Sequence, residues 1–433
     1  MNVGLIGVGT VGGGTYKVLT ENFQEIFHKT GIEIKVTLVA DKNVALAKQL
    51  VGTSIPVVSD ALELIDSKEV DIVVELIGGT GIAKDLVKQA LLNGKHVVTA
   101  NKALIALHGK ELFAAAENNN VQLAYEAAVA GGIPIIKALR EGLAANKIEW
   151  VAGIINGTTN YILTEMKENN LSFDVALKQA QELGFAEADP TFDIEGVDAA
   201  HKITIMASIA FGIPINFDGV FVEGISNLNQ KDITYAEELG YRIKLLAIAK
   251  SEQDSVEIRV HPTLIPEKRL VANVSGPMNA VLVKGNMVGP TLYYGAGAGA
   301  EPTASAVVAD IIDIARQSKI STKSLIPSLG FMPNQIKNKK LLAIEEVWSE
   351  FYLRLTMENK SGLLANITNI FANHKISIDA LVHKEVQEDN QDPDIFLVSS
   401  KVQEHQINKA IKEIEALPEN KDKIIKIRIE ELK

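Results

Sequence analysis

The sequence predicts an α/β fold in three parts: an N-terminal parallel-sheet domain, an α+β domain in the middle and a ferredoxin-like unit at the C-terminus. Three observations predict it. A glycine-rich turn, Gly7-Val8-Gly9-Thr10-Val11-Gly12, stands between a short apolar run, Met1 to Ile6, and a helical run. Strand-like and helix-like stretches then alternate as far as Tyr125, which implies parallel strands with helices on their faces. From Ser349 to Glu430 the order of elements reads β-α-β-β-α-β.

The bulk properties exclude several classes. At 433 residues the chain is too long for one core. Its 47% apolar and 22% charged residues are a globular composition. A net charge of -11 disfavours nucleic acid and anionic membranes as partners. No charge-free apolar run reaches the ~18 residues of a membrane span. The N-terminus enters a strand with no basic leader, and a cytoplasmic location is the default expectation. With 0 cysteines there is no disulfide, thiol chemistry or cysteine metal site. The 8 histidines lack metal-ligand spacing, and His96, His108 and His201 read as ordinary polar or core residues.

In the first third, G-x-G-x-x-G between strand and helix is where a dinucleotide fingerprint must lie, and the domain is read as Rossmann-type. Gly7 permits the turn, Gly9 lets backbone approach a pyrophosphate, and Gly12 lets helix pack on strand. Thr10 and Val11, at the helix start, join them as cofactor candidates, because free N–H groups there face phosphates. A second strand, Glu33 to Ala40, ends in Asp41, an acid placed for the ribose hydroxyls of NAD; the adjacent Lys42 would favour a 2′-phosphate instead. Further strands are expected at Val70 to Ile77, Lys95 to Thr99 and Val121 to Tyr125, with a helix ending at Leu92 between the first two. Lys102 falls at a strand's carboxyl end, where ligands bind in such sheets. Next comes Glu126-Ala-Ala-Val129-Ala-Gly131-Gly132-Ile133-Pro134. One carboxylate and an irregular backbone make either a cage for a hard monovalent cation or a domain hinge.

The middle opens with a helix, Pro134 to Leu143, and a strand, Lys147 to Ile155. Asn156-Gly157-Thr158-Thr159-Asn160-Tyr161 then starts a helix whose free N–H groups suit a carboxylate, or are simply capped. Between Gly184 and Lys202 five acids crowd together: Glu187, Asp189, Asp193, Glu195 and Asp198. Asp198 lies in the first turn of an apolar, hence buried, helix, with Lys202 four residues on. A lysine at the mouth of a buried helix needs a partner and has a tunable proton affinity. The alternative is an acidic surface loop with one weak helix salt bridge. A helix at Tyr235 to Ala249 and antiparallel strands at Val256 to Leu264, Ala280 to Gly285 and Asn286 to Tyr293 follow. Gly295-Ala-Gly297-Ala-Gly299 leads into a helix, Ala304 to Ala315.

Gln317 to Leu342 reads as a loose linker. Strands are then expected at Ser349 to Met357, Ile376 to Val386, Ile395 to Val402 and Ile424 to Glu430. Helices are expected at Leu363 to His374 and His405 to Ala416, and an acidic turn at Glu388 to Asp394.

Gly-Phe-Ala-Glu-x-Asp-Pro-x-x-Asp-Ile-x-Gly-x-Asp-x-x-x-Lys, from Gly184, resembles the signature segment of homoserine dehydrogenases, and the C-terminal unit resembles an ACT domain. The resemblance spans the chain. It implies a Rossmann domain over 1–130 completed by a helix at 304–316, a substrate-binding, dimerising and catalytic domain over 131–303, a linker over 317–348 and an ACT domain over 349–433. The implied reaction is reversible reduction of L-aspartate 4-semialdehyde to L-homoserine with NADP or NAD, on the way to threonine, methionine and isoleucine. Lys102 would reach cofactor and substrate, Gly157, Thr158 and Tyr161 would lie beside the substrate, and the Gly299 loop would face the cofactor. Sodium would be held by the Glu126 side chain and main-chain oxygens of Val129, Gly131 and Ile133. A homodimer or homotetramer is expected.

Two departures leave alternatives open. Family members using NADP often carry arginine before the strand-end acid, where this chain has Ala40, so NAD and NADP both stand. The ACT ligand loop usually reads acid-x-Pro-Gly-Val-Leu; here it is Asn359-Lys360-Ser361-Gly362-Leu363-Leu364. Feedback by threonine and a purely structural or dimerising role both remain.

In the implied mechanism the aldehyde oxygen gains charge, and an ammonium must stabilise or protonate it. Lys202 is expected as the acid/base with Lys102 assisting, the choice of donor between them being open. Asp198 would orient Lys202, and Glu187 and Asp193 would take the substrate ammonium. A lysine beside two acids should have its charged form favoured. The rival readings are a 2-hydroxy-acid dehydrogenase with a similar C-terminal unit, and a nucleotide-binding amino-acid sensor without catalysis. The first lacks support because no histidine here has the required setting; the second has no use for Asp198 and Lys202.

Overall fold

The computed structural model describes residues 1–320, 325–358, 360–384 and 393–433. The first sheet contains β1 (Asn2–Ile6), β2 (Lys35–Ala40), β3 (Val57–Val58), β4 (Ile72–Glu75), β5 (His96–Thr99) and β6 (Leu123–Ala124), in the order β3-β2-β1-β4-β5-β6. All its pairings are parallel. This is the doubly wound dinucleotide order, with its switch point at the carboxyl ends of β1 and β4. Val3, Leu5, Val73 and Val74 are fully buried, as strands covered on both faces require.

The helix Thr10–Glu21 follows β1 directly. A Cβ on Gly12 would stand 2.0 Å from the Gly7 carbonyl oxygen, so the third fingerprint glycine is forced by the tightness of the turn. Nothing lies within 4 Å of a Cβ built on Gly9, which leaves space over the loop. The chain returns to this domain much later: helix Ala300–Ser318 packs along Thr10–Glu21. Gly14 allows it, because a Cβ there would meet the Ala300 carbonyl oxygen at 2.6 Å.

The second sheet begins with β7 (Ile148–Ile154), β8 (Phe221–Val222), β9 (Tyr241–Glu252), β10 (Ser255–Pro266), β11 (Met278–Gly285), β12 (Gly289–Ala296) and β13 (Lys340–Leu341). It continues with β14 (Trp348–Thr356), β15 (Ile378–Lys384), β16 (Asp394–Ser399), β17 (Val402–Gln403) and β18 (Ile425–Ile429). Its main path is β12-β11-β7-β9-β10-β18-β14-β16-β15. The C-terminal β-α-β-β-α-β unit is therefore joined edge to edge with the central domain, through parallel pairing of Thr263 with Arg428 and Leu264 with Ile429. The other end of the same β10 edge carries β13, at Ser255 and Val256.

Three expectations are corrected. The helix expected at Tyr235 to Ala249 is instead a helix Gln230–Glu238, a turn at Gly240 (φ 78°) and the strand β9. The run Leu245 to Ala249 is buried on both faces between β7 and β10, so it shows no alternation, and a short continuous apolar run reads as either element. The region 317–342 is only partly a linker. It continues the preceding helix to Ser318, contributes β13, and is tied down by Lys337 N–H to the Gly212 carbonyl (3.0 Å) and the Tyr125 hydroxyl to the Ser328 carbonyl (2.5 Å). The helix expected over Pro134 to Leu143 is three α-helical residues, Ile135–Lys137, running into a π-turn, Ala138–Gly142. Asn359, Val386 and most of the turn from Glu388 lie outside the described residues.

Candidate active site

Of the acids from Glu187 to Asp198, Asp198 is buried and Asp193 half-buried, while Glu187, Asp189 and Glu195 stay exposed. Phe185 to Pro190 is a loop, Thr191–Ile194 a single helical turn, and Gly196 (φ 82°) reverses the chain into helix Val197–Phe211. That helix is buried along almost its whole length, and Asp198 in its first turn is 2% exposed. A carboxylate so deep needs compensation. It has two cations: Lys202 Nζ lies 2.7 Å from Oδ2, and Lys102 Nζ, from the helix after β5, lies 2.5 Å from Oδ1. Lys202 also donates to the Ile155 carbonyl at 2.7 Å. The simple surface salt bridge is thereby excluded.

Asn156 completes the cluster, and sequence reasoning passed it over as a cap. Its Oδ1 does cap the helix Gly157–Glu168, accepting from Thr159 N–H at 2.8 Å. Its Nδ2 donates to Asp193 Oδ1 (2.8 Å) and to Asp198 Oδ2 (2.9 Å), holding two carboxylates together. Thr158 adds a hydroxyl 3.3 Å from Asp193 Oδ2 and donates to the Phe185 carbonyl at 2.5 Å. Gly157 has no room for a side chain: a Cβ would be 2.8 Å from the Pro277 carbonyl oxygen. Tyr161, one turn further, is buried with its ring 5.0 Å from that of Phe185. Phe192 was also missed; Lys102 Nζ stands 5.8 Å over its ring. Glu187 is exposed, yet its charge and that of Asp193 both add to the field on Lys102.

The electrostatics separate the two lysines. Burial works against the charge on Lys102, but the Asp198 carboxylate outweighs it and raises the pKa above the ordinary value. Lys202 goes the other way: burial lowers its pKa, and Asp198 only partly restores it. The expectation that nearby acids favour charged Lys202 is therefore reversed by desolvation. Asp198 is held well below the carboxylate range, because its two lysines overcome its burial. Asp193 is raised, first by burial and then by Asp198.

In the first sheet, Asp41 ends β2 and folds back onto the glycine turn, its Oδ2 accepting from Val8 N–H at 2.8 Å and its Oδ1 from Asn43 N–H at 2.7 Å. Lys42 beside it is exposed. Gly299, at φ 122°, precedes helix Ala300–Ser318. The Gly295–Gly299 loop lies against the Glu126–Pro134 segment: Gly132 N–H donates to the Ala296 carbonyl at 3.0 Å, and a Cβ on Gly131 would sit 2.4 Å from the Gly297 oxygen. Glu126 is 1% exposed; its oxygens accept from the N–H groups of Ile136 and Lys137, both at 2.9 Å. Among the described residues no side-chain cation pairs with it, and burial followed by Asp310 pushes its pKa up to about 8. Ala130 and Gly131 both have positive φ, 56° and 51°, which turns successive carbonyls off any regular path. A buried carboxyl with no ion-paired side chain among the described residues, beside re-aimed carbonyls from Val129 to Ile133, fits a monovalent cation, whose charge would favour its ionised form. A cavity of about 590 Å³ lies elsewhere, between helix Lys102–Asn118 and the 325–336 segment, and none of the lysine–carboxylate cluster lines it.

A doubly wound domain whose strand ends deliver Lys102 to a buried lysine–carboxylate cluster defines a nicotinamide-dependent oxidoreductase acting on a small polar substrate. Comparison with known proteins makes this specific. Family models match over most of the chain: "Homoserine dehydrogenase, NAD binding domain" at 7–126, "Homoserine dehydrogenase" at 134–312 and "ACT domain" at 351–419. Homoserine dehydrogenases of Neisseria gonorrhoeae and Pseudomonas aeruginosa are 54% and 50% identical, each match covering 100% of this chain and 99% of the relative. The crystal structure of a homoserine dehydrogenase from Thiobacillus denitrificans superposes with a TM-score of 0.95 at 55% identity, covering 100% of this chain and 99% of that one. A hyperthermophilic archaeal homoserine dehydrogenase, solved with NADPH, matches at a TM-score of 0.62 and 27% identity over 74% of this chain and 99% of its own. The chain belongs to the homoserine dehydrogenase family. It catalyses the NAD(P)-dependent interconversion of L-aspartate 4-semialdehyde and L-homoserine, and ends in an ACT domain. Among the described residues, no helix is long and apolar enough to cross a membrane.

Proposed function

We propose that Lys202 exchanges the proton of the substrate oxygen, that Lys102 is the fixed cation beside it, and that Asp198 positions both. The carrying observation is the Asp198 carboxylate, shared between Nζ atoms at 2.5 and 2.7 Å. NAD(P)H supplies the hydride when bound. As the aldehyde carbon is reduced its oxygen becomes an alkoxide, and an ammonium in a water-poor site stabilises that charge and passes it a proton. A lysine with a lowered pKa gives its proton up more readily than a free one and takes it back in the reverse direction. Asp193, with Glu187, receives the substrate ammonium. Gly157 and Thr158, at a helix N-terminus, and Tyr161 line the carboxylate end.

Gly7, Gly9, Thr10, Val11 and Gly12 carry the cofactor pyrophosphate, the Gly299 loop faces the cofactor, and Asp41 decides between NAD and NADP. The carboxylate of Asp41 favours ribose hydroxyls, while Lys42 offers charge to a 2′-phosphate. Glu126 and main-chain oxygens of Val129, Gly131 and Ile133 would hold a sodium ion, with a structural role at the hinge. The ACT domain senses an amino acid, threonine in this reading. The exposed apolar side chains Met287, Val288 and Tyr294 beside the outer strand β12 support a homodimer or homotetramer. The absence of cysteine accords with a cytoplasmic enzyme. The parts 1–130, 131–303 and 349–433 act as nucleotide, substrate and regulatory units.

The experiment is nicotinamide absorbance with homoserine, comparing wild type and Asp198→Asn. Near-complete loss of kcat with retained cofactor binding is expected; a variant turning over at the wild-type rate overturns the assignment.

A further inference from the structure

Arg428 lies on β18, in the C-terminal unit, but its guanidinium serves two units. Nε donates to Glu404 Oε2 at 2.8 Å and one terminal nitrogen pairs with the other Glu404 oxygen. The second terminal nitrogen donates to Glu223 Oε2 at 2.8 Å. The guanidinium carbon stands 4.8 Å from the centre of the Phe221 ring and over its face, a cation–π contact added to the hydrogen bonds. Arg428 itself is 1% exposed.

Glu223 follows β8 and is held on the central sheet by its N–H to the Val260 carbonyl, 2.8 Å. From there the chain runs against the substrate loop. A Cβ on Gly224 would stand 2.4 Å from the Ile194 carbonyl oxygen and 2.6 Å from Glu195 Cα. Ile225 N–H donates to the Ile194 carbonyl at 2.9 Å, and the Ser226 hydroxyl to Glu195 Oε1 at 2.5 Å. Ile194 and Glu195 directly follow Asp193. Contacts are thus unbroken from Arg428 through Glu223 and the Gly224–Ser226 segment to the carboxylate that Asn156 ties to Asp198.

We propose that Arg428 is a positioning residue for the substrate site: through Glu223 it fixes the segment on which the Asp193 loop rests. The inference rests on Asp193 as a substrate-binding group. It makes the last strand of the regulatory unit part of the scaffold of the substrate site, and gives that unit a physical route to substrate affinity rather than to the hydride step.

The test uses the full-length enzyme. Glu223→Ala leaves the Arg428–Glu404 fork intact, and the side chain removed is already 37% exposed, so folding is spared. The expected result is a KM for homoserine raised roughly three- to tenfold, the size of a coupling between contacting residues, with kcat within about twofold of wild type. KM for the nicotinamide cofactor stays unchanged, and hydrogen exchange at the Ile225 amide quickens. Glu223→Gln, which keeps an acceptor, restores most of the affinity. Arg428→Lys added to Glu223→Ala raises KM no further, since both act through one contact. An unchanged KM in Glu223→Ala, or full additivity with Arg428→Lys, overturns the proposal. Asp193→Asn separates the two levels. If it leaves KM for homoserine unmoved, the reading of Asp193 fails. If it raises KM while Glu223→Ala does not, only the link from Arg428 fails.

Discussion

Asp198 and Lys202 stand one helical turn apart with oxygen and nitrogen at 2.7 Å, and the same carboxylate holds Lys102 by its other oxygen at 2.5 Å. One carboxylate thus pairs with two cations, and Asn156 holds the Asp193 carboxyl beside it. The environments then divide the labour. Burial lowers the pKa of Lys202, while Asp198 raises that of the less enclosed Lys102. Two titratable groups pushed apart in this way are a general mark of an acid/base assignment.

Lys202→Ala should therefore cut kcat by about 10²- to 10⁴-fold, the usual worth of a positioned proton-transfer group. Asp198 keeps Lys102 as a partner, so circular dichroism and cofactor affinity should be close to wild type. Lys102→Ala should weaken both substrate and cofactor binding. Steady-state kinetics on the two variants distinguishes these patterns.

The pH dependence has a definite sign. With Lys202 as the proposed proton-transfer group, homoserine oxidation needs it neutral, so kcat should rise with pH through a pKa that lies below the ordinary lysine value of 10.5. Semialdehyde reduction needs it protonated and should fall over the same window. Rate profiles in both directions should cross, and Lys202→Ala should flatten both.

With sodium held at Glu126 as proposed, replacing it by choline at constant ionic strength should lower Tm, because the carboxylate would lose its counter-charge. Glu126→Gln should abolish the difference between the two salts. A Tm that is insensitive to sodium in the wild type would rule the cation out.

How much of this was legible in the sequence depended on distance along the chain. Asp198 and Lys202 are four residues apart on one helix, so their pairing could be read from spacing alone. Gly7 to Gly12 was legible for the same reason. Lys102 was placed at a strand end, but its contact with Asp198, across 96 positions, has no local signature. Asn156 carried an ordinary capping signal that hid its second function, since one side chain both caps a helix and bridges two acids. The strand β9 was misread because burial on both faces erases alternation. The join between β10 and β18 was invisible, for sequence patterning shows which face of a strand is apolar but not which neighbour it will find.

Gly14→Ala should destabilise the nucleotide domain by about 1–3 kcal/mol, the cost of overpacking. The new methyl would enter the space of the Ala300 carbonyl, 2.6 Å away, and push apart the two helices that frame the glycine turn. Thermal unfolding reads the loss, and weaker cofactor binding should accompany it.

Glu430 sits at the seam of the large sheet, pairing with the buried Arg259 and, at 2.8 Å, with Lys250. Burial opposes its charge, yet those cations hold its pKa down to about 2. A depressed carboxylate stabilises above its unfolded pKa, and that contribution is lost as pH falls from about 4.5 toward 2. Glu430→Gln should cost about 1–3 kcal/mol at neutral pH, because the buried Arg259 guanidinium is left with Glu257, at 3.3 Å, as its carboxylate partner. The variant's denaturation midpoint should depend less on pH across the acid window.

The seam also bears on how the chain is made. β10 leaves the ribosome more than 150 residues before β18, and part of its edge must wait for that strand. The central domain cannot finish folding vectorially, and its closure is delayed until β18 has been made. A prematurely terminated or clipped chain would present that edge to any neighbouring strand, the ordinary first step of aggregation. For this molecule β18 works as a check on synthesis: only a chain translated through Ile429 can seal the central sheet.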